Sequence, residues 1–279
     1  KGIGLSQHLV YIIGFKETST EFFYDAANST GSPLSTVQGA KVNWGCASMG
    51  TVQDIDGMLF WIASNRDSSP QVIMLESGKS QIISTPPVER LLNSVDFTQA
   101  YSWIFKESGH WFYAVTFAAV ADNLTLVFDL KERQWSQWQD TNGNYFPIVS
   151  STKGIGTAHL FQHKTNGKIY LADAAYNNDD GSLFTVDAYT PSADFGTRRR
   201  KHLGAVDFVG DQVQGIMQVR YTEDDFQTFS NFRNVNLAQR RPRLTNCGTF
   251  TKRAYHLRYR ANTTFRLQAM DLQLDIGTL

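Results

Sequence analysis

The sequence predicts an all-β protein. Short apolar and aromatic runs of strand length recur along the whole chain, separated by clusters of Gly, Ser, Asn, Asp and Thr. Several of those separators are two-residue turn signals, above all Asp56-Gly57 between Thr51–Ile55 and Met58–Ile62. Only one stretch has helical apolar spacing, Val88-Glu89-Arg90-Leu91-Leu92 after Thr85-Pro86-Pro87, so one short helix capped by Thr85 is expected.

The elements follow in order. Leu9–Phe15 and Glu21–Tyr24 read as strands closed by the polar cluster 25–36. The Asp56-Gly57 hairpin comes next, then Gln71–Glu76, a turn at Ser77-Gly78-Lys79 and the return Ser80–Ser84. The pattern is clearest from Ala100 to Asp140, where Tyr101–Phe105, Trp111–Phe117, Leu124–Asp129 and Trp135–Trp138 make a four-stranded meander. Its length of about forty residues is that of one propeller blade. A second such unit is expected from His159–Gln162, Lys168–Ala172 and Leu183–Tyr189, with turns at Asn166-Gly167 and Asp179-Asp180-Gly181. The repeat is one of architecture, since no sequence repeat is exact.

After the turn-rich Pro191–Gly196 the composition turns basic at Arg198-Arg199-Arg200-Lys201, which places a boundary between residues 1–197 and 198–279. The second part supplies strands at Gly215–Tyr221, Asn231–Leu237, Thr249–Arg260 and Thr264–Ile276, enough for a small sandwich or closing sheet. In the last strand the apolar face switches near Met270. The reading is thus a propeller-like body, either incomplete or part of a longer chain, with a C-terminal sandwich-like β domain. Because the chain starts at Lys1 without Met and reads as strand almost at once, a fragment or processed piece is expected.

Composition bounds the function classes. Charged residues are 19% and aromatic residues 13% of the chain, with no run of twenty apolar residues, which excludes disorder and a membrane-spanning helix as organising features. Net charge is zero, but residues 1–197 carry 12 basic and 19 acidic side chains and residues 198–279 carry 14 and 7. Such asymmetry suits docking on a partner or a surface facing nucleic acid. Cys46 and Cys247 lack the spacing of a metal or disulfide framework and are expected to be buried thiols. Asn28, Asn123 and Asn262 open Asn-x-Ser/Thr triplets, which matter only on a secretory route.

Val219–Phe232 is the most distinctive stretch. Thr222, Asp224 and Thr228 put a carboxylate between two hydroxyls inside a hairpin turn, where they can bond the backbone, while Phe229 can pack between the strands. The run resembles the Asp-box of β-propeller proteins, with Phe226 where Gly is usual and Phe229 where Trp is usual. An ordinary polar hairpin tip is the competing reading.

Chemistry-bearing constellations are sparse. His159 and His163 have the spacing of a helical metal pair but lie in strand sequence, about 13 Å apart. Asn177–Gly181 lacks the acids of a calcium loop. Asp54, Asp56, Glu107 and Asp224 sit at turns, and neither a nucleophile elbow nor a phosphate loop is present, so the chain is expected not to be an enzyme and to need no cofactor or metal. The arginine clusters Arg198, Arg199, Arg200 with Lys201, and Arg240, Arg241 with Arg243, can hold phosphate or acidic side chains. Docking on an acidic neighbouring subunit is favoured over contact with DNA.

Taken in order, Gly45-Cys46-Ala47, Asp56-Gly57-x-Leu59-Phe60-Trp61, Ile83-Ser84-Thr85, Gly109-His110-x-Phe112-Tyr113, Val127-Phe128-Asp129 before Trp135, Gly167–Leu171, Asp180-Gly181, Arg220-Tyr221-Thr222 and the Arg253–Arg260 strand resemble the tail-nozzle, or packaged-DNA stabilisation, proteins of short-tailed bacteriophages. The resemblance runs from about residue 42 to the end. It implies a β-propeller body, a homo-hexameric ring in the virion tail assembled in the host cytoplasm, contact with a tail adaptor protein, and a channel that retains packaged double-stranded DNA until ejection. The alternative is a glycan-binding or glycan-cleaving propeller of sialidase-like type, which would need convergent arginines and an acid/base carboxylate.

Overall fold

The structure, a computed structural model, describes residues 1–65, 69–154, 159–173 and 175–277. Contacts divide the chain into two units, Lys1–Asp173 and Ala174–Leu279.

The first unit is a succession of antiparallel sheets, each built from consecutive strands. β1 (Gly2–His8), β2 (Tyr11–Lys16), β3 (Thr20–Asp25) and β4 (Leu34–Thr36) form the first. β5 (Gln53–Ile55), β6 (Met58–Ala63), β7 (Gln71–Glu76) and β8 (Lys79–Ile82) form the second. The helix α1 (Pro86–Leu92) then leads to β9 (Ala100–Glu107), β10 (His110–Phe117), β11 (Leu124–Asp129) and β12 (Gln134–Trp138), the third sheet. β13 (Ile148–Lys153), β14 (His159–His163) and β15 (Ile169–Ala172) make a fourth with three strands among the described residues.

Turn chemistry fixes each register. At Asp56-Gly57 both residues have positive φ, 53° and 80°, and Ser77-Gly78 repeats this at 49° and 77°, the twist that a two-residue hairpin requires. The core explains why β6, β7, β10 and β11 read as nearly unbroken apolar runs: both faces of the second and third sheets are covered. Ile13 and Phe15 of the first sheet meet Leu59, Trp61 and Ile73 of the second. The opposite face of the second, through Phe60, Ile62 and Met74, meets Tyr113, Val115 and Leu126 of the third. The other face of the third, through Trp103, Phe105 and Val127, meets Ile148 and Phe161 of the fourth. At about 1.5–3 kcal/mol for each large apolar side chain buried, these face-to-face contacts are the main stabilising term. This is the blade-on-blade packing of a β-propeller.

The helix forms where expected, but Thr85 caps it through its carbonyl, which accepts from Glu89 N at 2.9 Å, and not through its hydroxyl. Glu89 turns back to accept from Ser84 Oγ and Gln71 Nε2, while Val88 and Leu92 enter the core between the second and third sheets.

The second unit is a sandwich of two sheets. β16 (Val186–Tyr189), β17 (Lys201–Gly210), β18 (Ile216–Thr222), β19 (Arg233–Asn236), β20 (Arg243–Thr245), β21 (Thr249–Phe250), β22 (Ala254–Tyr259) and β23 (Leu267–Ile276) are its strands. One sheet has the order β16-β22-β18-β19; in the other, β17 pairs with β20, β21 and β23. Leu203, Val206 and Phe208 of the second sheet pack on Met217, Val219 and Leu257 of the first.

Two expectations change, and a third, the apolar switch near Met270, gains its physical cause. The strand near Leu183–Tyr189 does not complete a propeller unit; β16 pairs with β22, and Thr190 N donates to Tyr255 O, so the division by contacts falls upstream of the expected 197/198 boundary. The single strand expected over Thr249–Arg260 breaks into β21 and β22, because Arg253 turns inward and is 2% exposed. The apolar switch in the last strand falls at a bulge, where Gly210 opposes Leu267 and Val209 opposes Ala269, leaving Gln268 unpaired just before Met270.

Candidate interaction surface

The hairpin between β18 and β19 is closed by side chains. Asp224 Oδ1 accepts from Thr222 Oγ1 at 2.8 Å, from Gln227 N at 3.1 Å and from Thr228 N at 2.9 Å, while Oδ2 accepts from Thr228 Oγ1 at 2.5 Å. Phe226 N completes the turn by donating to Thr222 Oγ1 at 3.2 Å. The Thr228 hydroxyl, then its backbone N–H and the Thr222 hydroxyl, all stabilise the anion and bring the Asp224 carboxyl down to about 2. Asp225 and Phe226 have φ of 57° and 68°, so the residue standing where Gly is usual is held in left-handed backbone.

That turn folds its aromatic residues over the outer face of the β16-β22-β18 sheet. Strand alternation puts Met217 and Val219 into the core and Arg220 on the opposite face. Register then aligns Arg220 with His256 of β22, and His256 with Tyr189 of β16. Tyr189 stacks on the His256 ring at 4.2 Å. The Arg220 guanidinium lies 4.1 Å from the Phe229 ring and 4.5 Å from the Phe232 ring. Phe229 therefore covers a cation, in addition to packing on the hairpin.

Hydrogen bonds fix the His256 tautomer. Arg220 Nε can only donate, so His256 Nδ1 accepts at 2.8 Å and its Nε2–H donates to Asp187 Oδ1 at 2.6 Å. Burial pushes the imidazole below its usual range, more than the Asp187 carboxylate lifts it, and Arg220 and Arg258 add to the lowering. Asp187 is pulled up by burial, yet the bonds from Arg258 (Nε at 2.8 Å) and His256 outweigh that and leave its carboxyl below the ordinary value. Sequence reading missed this row. Its signal was present: Arg220, His256 and Arg258 are polar residues at alternate positions of otherwise apolar strands.

The two basic clusters divide differently. Lys201 is corrected as a surface candidate: it is 0% exposed, and its ammonium donates to the carbonyls of Thr197, Arg199 and Thr251 at 2.6, 2.9 and 2.8 Å. Arg243 is also committed internally, with Nε and Nη2 on the two Asp207 oxygens at 2.5 and 2.6 Å. Arg198, Arg199, Arg200, Arg240 and Arg241 remain exposed, and their guanidinium groups form no ion pair among the described residues. They are not one patch. Arg200 precedes the start of β17 and Arg241 lies beside Asp207 near its end, so about 20 Å of strand separates them. The unit boundary also softens the charge contrast, to 12 basic and 15 acidic residues in 1–173 against 14 and 11 in 174–279.

Other sequence candidates serve their turns. Asp54 accepts from Gly57 N and bonds His8 Nδ1 at 2.6 Å, and His163 Nδ1 accepts from Thr165 N and Asn166 N. Among the described residues no group of three or more His, Cys, Asp or Glu is placed to hold a metal. Both cysteines are buried and free.

No curated protein matches the sequence. Solved structures similar to the chain include a glycoside hydrolase at 12% identity, covering 98% of this chain and 84% of that one with a TM-score of 0.29. An exo-beta-1,3-galactanase from Phanerochaete chrysosporium follows at 7% identity, 95% and 77% coverage and TM-score 0.32. A fungal alcohol oxidase of the AA5 family in complex with copper has 11% identity, 99% and 63% coverage and TM-score 0.36. The expectation that the chain is not an enzyme is corrected against these neighbours, although likeness this distant assigns it no reaction. The sequence-family comparison takes in the landmarks from Gly45 to Leu171 and leaves out those from Asp180 onward. Matching over residues 2–173 the family described as Bacteriophage P22 Gp10, beta-propeller, the chain belongs to that phage-stabilisation family.

Proposed function

We propose that the chain is a structural part of the phage tail that assembles as a six-fold ring, extends the portal–adaptor channel, retains packaged DNA and takes part in genome ejection. Membership of the phage-stabilisation family through the propeller unit is the observation that carries this reading. The exposed guanidinium groups of Arg198, Arg199, Arg200, Arg240 and Arg241, in no ion pair among the described residues, support it as docking points for neighbouring subunits or the adaptor, with non-specific contact to the packaged duplex as a further use. Single surface pairs contribute about 0–1 kcal/mol, but a ring repeats each of them and couples them by effective concentration. Assembly belongs to the host cytoplasm, before the particle is complete.

Light scattering on the purified chain, alone and mixed with tail proteins, tests the reading. A six-fold mass, or one reached only with an adaptor, is expected. Reversing charge at Arg198–Arg200 or at Arg240 and Arg241 should weaken that assembly. A monomer that ignores every tail protein, or hydrolysis of host surface polysaccharide lost on a single carboxylate change, overturns it.

A further inference from the structure

Arg220 differs from Arg243, Arg253 and Arg258 of the second unit, and from Arg233, whose terminal nitrogens donate to the Thr245 and Asn246 carbonyls, in having an unspent fork. Arg253 is matched by Glu223 and the Cys247 carbonyl, Arg243 by Asp207, and Arg258 by Asp187. Arg220 uses Nε alone, on a neutral imidazole, and its two terminal nitrogens bond no described residue. Its plane is nevertheless fixed, by the rings of Phe229 and Phe232 and by His256, whose own tautomer is set by Asp187. A guanidinium oriented in advance loses little freedom on binding, and its two open N–H groups match the two oxygens of one anion.

The surroundings choose the anion. Tyr189 and Phe226 are 54% and 43% exposed beside the row and supply an apolar rim. Glu223 and Asp225 on the adjoining hairpin already hold Arg253 and Lys252, and Asp224 adds a further carboxylate, so the hairpin's described residues offer no unpaired cation for the next phosphates of a nucleic-acid backbone laid across Arg220. One acidic side chain flanked by apolar ones needs no second cation. Arginine, tyrosine and phenylalanine grouped in this way have the composition of a protein-interface centre. We propose that the outer face of the β16-β22-β18 sheet binds a protein partner through a single Asp or Glu side chain received by Arg220, with Tyr189 and Phe226 contacting its apolar neighbours. The site goes beyond the ring proposed above and does not depend on it.

The test uses the full chain and the peptide acetyl-Leu-Glu-Phe-amide, with its Gln counterpart and inorganic phosphate as comparisons, followed by NMR at the Arg220 Nε–H. The Glu peptide should shift that resonance and bind about tenfold more tightly than the Gln peptide, and Arg220→Lys should remove most of the difference because a point charge replaces the fork. Equal binding of the two peptides overturns the proposal without recourse to any variant. So does a preference unchanged in Arg220→Lys, or a resonance that responds to phosphate and not to the Glu peptide. None of these outcomes changes the mass measured by light scattering, so this site and the ring can fail separately.

Discussion

Arg253 and Glu223 are joined by two hydrogen bonds to a single carboxylate oxygen, 2.6 Å from Nη2 and 3.2 Å from Nε, with the arginine wholly inside and the glutamate at the surface. The guanidinium also donates to Cys247 O at 2.7 Å and lies between the Tyr221 and Phe250 rings at 4.0 and 4.3 Å. The two partners are therefore unequal. Arg253→Ala should cost about 3 kcal/mol, since it empties a packed slot and strands a buried carbonyl. Glu223→Gln should cost about 1 kcal/mol or less, because an amide oxygen still accepts and water already screens that end. Urea midpoints of the two variants check the ratio; equal losses would contradict it.

Asp224 makes the hairpin acid-sensitive. Its folded carboxyl is held at about 2, below the unfolded value near 3.9, so the folded state binds fewer protons in between. The stabilisation is present above about pH 4 and disappears as the pH falls through about 2. Asp224→Asn should lower the urea midpoint at pH 7 and flatten its fall between pH 4 and 2. Parallel profiles for the two proteins would show that the carboxylate contributes nothing to that limb.

Phe226 sets strain against contact. Left-handed backbone costs a side chain about 1–2 kcal/mol, while Gly adds entropy to the unfolded chain worth roughly half of that. Since Phe226 is 43% exposed and its ring meets, among the described rings, only Tyr189, edge-on, and Phe229, tilted, each at 6.3 Å, Phe226→Gly should raise stability by up to about 1 kcal/mol. A thermal midpoint lowered by several degrees would mean that the ring's packing outweighs the strain.

His256 is neutral in the fold, with a pKa below its unfolded value of about 6.5, so stability is full above that pH and declines as the pH drops toward the folded value. Protonation would set an Nδ1–H against the Arg220 Nε–H. An NMR titration should find the imidazole below its ordinary value, and Asp187→Asn should lower it further by removing the one group that lifts it. A rise on that substitution would refute the arrangement.

The sequence made the propeller sheets legible because Asp56-Gly57 and Ser77-Gly78 state their turns locally, and because β6 and β10 carry apolar runs that only two-sided burial explains. The Asp224 turn was readable for the same reason: every group in it lies within a few residues. What was hidden depends on distant partners. Nothing near Val186–Tyr189 says that it pairs with a strand some seventy residues later, and nothing in Arg198-Arg199-Arg200-Lys201 separates three exposed cations from a fourth that faces three carbonyls. Strand alternation sends Arg220 outward, but only the register with His256 and Tyr189 assembles the row.

Each unit contains one free, buried thiol. Cys46 lies at the interface of the first two sheets, where burial pushes it up to about 12, and Cys247 lies in the sandwich core. A thiol reagent can reach neither until its own surroundings open. The natural chain is thus already fitted with two internal clocks. The rates at which Cys46 and Cys247 become labelled time the opening of the propeller unit and of the sandwich separately, in one protein and without any engineered probe.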